Sequence, residues 1–358
     1  MLRIVGFGSR SRYVRTTKEV LYRAVSSTFL SAFVSPHDSV EPSGSTQTKT
    51  EEESNITQTN KSERSFMKTN INCMAIALAC LLSAALAHAD NIYVSNSGNN
   101  TIEKFDSSGN ASVFVSSGLN FPTGLAFDSS GYLYVNDSDN YRIMKYDSSG
   151  NGSVFATLAP QYHLGLAVDS GNNVYVDTYL GSTIEEFPPS GLGSVFASSG
   201  LDDPRGLAFD SSGNLYVANY GNSTIEEFPP SGLGSVFASS GLDDPIGLAF
   251  DSSGNLYVSN SGNNTIEKFS STGTDLGVFA NTGLDDPRGL AFDSTGNLYV
   301  ANYASSTIEE FTSSGVGSVF ASTGVDNPTY IAIQIPEPST LALVALGALA
   351  LLGLRRRN

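Results

Sequence analysis

Between residues 91 and 334, short apolar runs rich in Val, Ile, Leu, Tyr and Phe alternate with clusters of Gly, Asn, Asp, Ser and Pro. Such punctuation predicts short strands joined by turns. No segment there places apolar residues at the three-to-four-residue spacing of an amphipathic helix. The unit that opens at Gly206 predicts four strands, at Gly206 to Phe209, Asn214 to Val217, Thr224 to Phe228 and Ser235 to Phe237. Between the first two lies "DSSGN" from Asp210, where Asp caps its own turn and Gly accepts a positive φ, the chemistry of a hairpin. The second strand, Leu215, Tyr216 and Val217, has no polar alternation, which predicts a strand covered on both faces.

The unit recurs. Its opening glycine stands at Gly124, Gly165, Gly206, Gly247 and Gly289, at steps of 41, 41, 41 and 42 residues. A period of this size with four strands per unit predicts an all-β propeller of four-stranded antiparallel blades. The "YV" strand occurs six times, at Tyr93, Tyr134, Tyr175, Tyr216, Tyr257 and Tyr299, but no "GLAF" strand precedes Tyr93. The missing strand is expected at the other end of the chain, where Tyr330 lies 41 residues after Gly289. Ile331 to Ile333 would then join the first blade and close a six-bladed ring with no free edge.

The stretch "DDPRGLAFDSSGNLYVANYGNSTIEEF", Asp202 to Phe228, resembles NHL repeats and shades into YVTN-type propellers. The resemblance covers residues 91 to 334 and implies the fold without fixing an activity. The unit from Gly165, "GLAVDSGNNVYVDTYLGS", departs from the pattern by shortening its hairpin loop.

The ends of the chain carry addresses. Residues 67 to 89 read as a signal peptide, with Lys68, an apolar run from Met74 to Leu86 and "AHA" before Asp90, the expected mature N-terminus. Residues 1 to 66 differ in composition and are read as a misassigned start or a disordered extension. Both cysteines, Cys73 and Cys80, fall in the signal segment, so the mature chain would have no disulfide. Residues 335 to 358 resemble a PEP-CTERM sorting signal: Pro336, Glu337 and Pro338, an apolar run from Leu341 to Leu354, then Arg355, Arg356 and Arg357. The resemblance implies an exosortase-type sorting enzyme as partner and transient inner-membrane anchoring. It also implies export to the surface, outer membrane or extracellular matrix of a Gram-negative bacterium.

Within residues 90 to 334, six Lys or Arg stand against 27 Asp or Glu, a net charge of −21. Such a surface repels phosphate backbones, so no nucleic-acid partner is expected. His163 is the one histidine of this region, which leaves no Ser-His-Asp set. No cofactor is required by these residues, and calcium is the ion that carboxylates alone would suit.

In an up-and-down blade, the loops after the second strand and before the next blade's first strand share one face. That face would collect the Asp-Asp-Pro loops together with Asp137, Asp177, Tyr179, Asn219, Tyr220, Asn260, Asn302 and Tyr303. Tyrosines beside amides and carboxylates suit sugar binding, with rings stacking and polar groups bonding hydroxyls. The Glu pairs of "TIEEF", such as Glu226 with Glu227 and Glu309 with Glu310, read as solvated edges of outer strands. The expected function is a non-catalytic binding or structural platform for polysaccharide or surface proteins. The alternative is a metal-dependent lyase or lactonase acting on an extracellular saccharide or lactone.

Overall fold

The computed structural model describes residues 90–335; residues 67–89, expected to be a signal peptide, the residues before them and residues 336–358 of the sorting segment lie outside that range. Twenty-four strands, β1 to β24 in chain order, form six antiparallel sheets of four. The unit at Gly206 becomes β12 (Pro204–Phe209), β13 (Leu215–Asn219), β14 (Thr224–Phe228) and β15 (Ser235–Ala238), close to the spans expected from sequence. All five residues of β13 are buried, as a strand without alternation requires. The hairpin chemistry is also as expected. The Asp210 carboxylate accepts the N–H groups of Ser212 and Asn214, each at 2.8 Å.

The ring closes by exchange between the ends of the chain. β24 (Pro328–Gln334) pairs antiparallel with β1 (Asn91–Asn96), with Ile92 opposite Ile333 and Val94 opposite Ile331. β1 continues to β2 (Thr101–Phe105) and β3 (Ala111–Val115), completing the first blade. The strands that line the axis are β24, β4 (Pro122–Phe127), β8 (Leu166–Val168), β12, β16 (Pro245–Phe250) and β20 (Pro287–Phe292). Each touches the next around the circle, β20 against β24 and β24 against β4 included.

Six apolar cores lie between blades rather than within them. Tyr216 packs edge-on against Phe237 of its own blade and Phe250 of the next, both with centroids 4.9 Å apart. Tyr93, Tyr175 and Tyr257 repeat both contacts, whereas Tyr134 and Tyr299 keep only the Phe of their own blade, since Val168 and Ile333 replace the second Phe. The repeated glycine has a separate cause. A β-carbon on Gly206 or Gly247 would overlap the backbone carbonyl oxygen of the neighbouring inner strand, Ile246 or Arg288. Close approach of six strands at the axis, not turn geometry, is what reserves that position.

One expectation is corrected here. "TIEEF" is the third strand of its blade, paired on both sides, so its Glu residues are not outer edges. Glu226 and Glu309 are buried, with Glu103 and Glu267 at the equivalent places. Their partners across the ladder, Val236 and Val319, lie on the exposed fourth strands that form the rim.

Candidate functional site

The loop face expected from sequence is formed, and it is built by a repeated latch. The N–H groups of Tyr220 and Gly221 donate to the carbonyls of Asp203 and Asp202, both at 3.1 Å. Asn219 reinforces it, accepting from the Asp202 N–H at 3.2 Å and donating to the Gly200 carbonyl at 2.8 Å. Asn260 and Asn302 make the same pair of bonds in their blades. Asp137 accepts from the Asn120 N–H and from the Arg142 Nε at 2.7 Å, while Asp177 accepts from the N–H groups of Leu164 and Gly165. These five side chains are buried and bonded to loop backbone, Asp137 also to the Arg142 and Asn140 side chains, and burial holds the Asp177 carboxyl well above the usual carboxylate range. Tyr179, Tyr220 and Tyr303 are the members of the set that remain partly open on this face.

The tyrosines are not free platforms. The Arg205 guanidinium lies 3.3 Å from the centroid of the Tyr220 ring, and Arg288 sits at the same distance over Tyr303. Such a stack fixes a planar cation over an aromatic face. Each arginine also donates to the Asp two residues before it, Arg205 to Asp203 at 3.3 Å and Arg288 to Asp286 at 2.9 Å. Neither arginine was among the expected site residues. Their signal in the sequence is a departure from repetition, since "LDDPRGLAF" from Leu201 and Leu284 becomes "LDDPIGLAF" from Leu242.

Both arginines reach the axis. Thr123, Leu164, Arg205, Ile246, Arg288 and Thr329, one from each blade, surround a cavity of about 20 Å³. Tyr330, which replaces the glycine of the other five blades, forms its floor. The Tyr330 hydroxyl donates to the Arg205 carbonyl at 2.6 Å, and burial raises its pKa, so it stays a donor. Beyond Tyr330 the side chains that line the axis are apolar. Leu125, Leu166, Leu207, Leu248, Leu290 and Ile331, again one per blade, line a second cavity of about 260 Å³.

A metal fits this arrangement poorly. Among the described residues no three His, Cys, Asp or Glu side chains converge in a way that could hold an ion. His163 is fully buried, and its ring nitrogens bond to the carbonyls of Asp177 at 2.6 Å and Ala159 at 3.2 Å.

The NHL repeat model matches residues 201–228 and 242–269, and the PEP-CTERM protein-sorting motif matches residues 334–357. No curated protein matches the chain in sequence. In fold the chain is similar to a chain of a nidogen/laminin complex, at 21% identity and TM-score 0.62 over 68% of this chain and 98% of that one. It is also similar to virginiamycin B lyase from Staphylococcus aureus, at 15% identity and TM-score 0.54 over 67% and 84% of the two chains. A gluconolactonase from Xanthomonas campestris matches at 19% identity and TM-score 0.52 over 68% and 84%. At these identities the likeness establishes architecture alone. The sorting motif implies export and surface or membrane-associated sorting in a Gram-negative bacterium. The chain is a six-bladed β-propeller that carries NHL repeats and ends in a PEP-CTERM protein-sorting motif.

Proposed function

We propose that the protein is an exported, non-catalytic binding platform that holds a polysaccharide or another surface protein on its loop face. The observation that carries this reading is the polarity of the closing strand. β24 runs from Pro328 at the loop face to Gln334 at the opposite face, and the sorting motif begins where it ends. A propeller held through that segment turns Arg205, Arg288 and the three tyrosines away from the membrane. The buried latches make this face rigid, which lowers the entropic cost of binding.

Support for the alternative comes from the lyase and the lactonase that share the fold. The side chains at this mouth do not favour it, because the carboxylates nearest the axis bond to loop backbone or to arginine. A glycan array probed with the full chain, with and without calcium, separates the two. Retention on particular glycans without turnover, lost when Tyr179, Tyr220 and Tyr303 are changed to Ser, supports the platform. Calcium-dependent turnover of a saccharide or lactone overturns it.

A further inference from the structure

The repeats of blades four, five and six are nearly identical, so the places where they differ are informative. Where blades four and six have Arg205 and Arg288, blade five has Ile246; fifteen residues on, the same blades have Tyr220 and Tyr303, and blade five has Ser261. Within these three blades arginine and tyrosine come and go together, while blade three keeps Tyr179 with Leu164 at the arginine's place. The two stacked pairs flank blade five and aim at one point on the axis.

Each guanidinium is incompletely used. One terminal nitrogen donates to an Asp, yet the Nε–H of both Arg205 and Arg288 is buried with no partner in the protein. A buried donor left unpaired costs roughly 1–3 kcal/mol, and the two arginines that carry such donors both line the axial cavity. The cavity of about 20 Å³ admits one oxygen-sized atom, with the Thr123 and Thr329 side chains on its wall.

We propose that this mouth is a carboxylate site: one oxygen of a single carboxylate enters between Arg205 and Arg288, and the rest of a sugar acid lies over the loop face beside Tyr179. The proposal rests on the platform reading and names its ligand class. The charge of −21 over residues 90 to 334 restricts the class further. A polyanion meets repulsion from the whole surface, whereas a lone carboxylate at the axis meets mainly charges within a screening length of about 8 Å. A uronic acid at a chain end, or a free sugar acid, fits; a polyuronate run does not.

The test is calorimetric titration of the full chain with galacturonate, its uncharged methyl ester, galactose, polygalacturonate and sodium chloride. Galacturonate is expected to bind at least tenfold more tightly than the ester, galactose or the polymer, and chloride to compete with it. R205Q combined with R288Q is expected to lose at least tenfold for galacturonate alone. Should that variant not fold, the comparison of acid and ester on the unaltered protein still decides. Equal binding of acid and ester, or galacturonate binding that survives both substitutions, overturns the carboxylate site. If galacturonate does not bind but the glycan array retains the chain, this site falls and the platform stands; if nothing is retained, both fall.

Discussion

The hydroxyl of Tyr330 donates across the axis to the carbonyl of Arg205, joining the inner strand of the first blade to that of the fourth, opposite it in the ring. Arg205 sits where the β12–β13 register slips, so its carbonyl is turned out of the ladder and free to accept. Y330F should leave that acceptor unpaired in a buried place and cost about 2 kcal/mol. Urea unfolding of both proteins checks it, and an unchanged midpoint would show that the bond contributes nothing.

The axial glycines and the hairpin glycines do different jobs. G206A places a β-carbon against the Ile246 carbonyl and should destabilise by about 3 kcal/mol. Gly213 has φ +85° with open space around it, so G213A should cost only about 1 kcal/mol of backbone strain. Thermal melts of the two variants side by side give the contrast.

Burial, and after it the neighbouring Asp275, pushes the Glu267 carboxyl up to about 7. The folded state therefore holds a proton that the unfolded chain, with a value near 4.5, has released between those two pH values. Stability must then fall as pH rises from about 4.5 to about 7. Burial raises Glu103, Glu226 and Glu309 in the same direction. E267Q should flatten this slope without abolishing it, read as melting temperatures at pH 5 and pH 7.

Removing β24 should be far worse than removing the sorting segment alone. A chain ending at Asp326 leaves β1 with an unpaired edge and the axis one strand short, and should elute as aggregate. A chain ending at Ile335 keeps all 24 strands and should elute as a compact species on size exclusion.

Architecture was legible because a blade is local: "GLAF", "LYV", "TIEEF" and "SVFA" come one after another, and their period counts the blades. The closing strand was legible by subtraction, since one inner strand was missing and Tyr330 stood in register. The site was less so. Asn219 and Asp177 read as exposed ligands because amides and carboxylates in loops often are, but each is consumed by backbone groups of the preceding loop. Nothing in a linear pattern gives the direction in which those side chains turn. Arg205 and Arg288 were hidden by the opposite effect, a single substitution inside a stretch whose repetition suggested pure architecture. Glu226 lies in a strand whose place in the blade was legible, yet its burial depends on packing against Gly200, in the loop that enters the blade.

The pairing of β24 with β1 also sets an order of events. Ser95 and Thr329 share a hydrogen bond across 234 residues of chain, so the first blade cannot be completed until nearly the whole domain has been delivered. A chain threaded through a membrane from its N-terminus exposes five blades while the sixth inner strand is still missing, and the segment that supplies it leads directly into the sorting motif. The strand that closes the circle thus lies immediately ahead of the sorting motif, so a chain long enough to carry that motif already carries every strand of the ring.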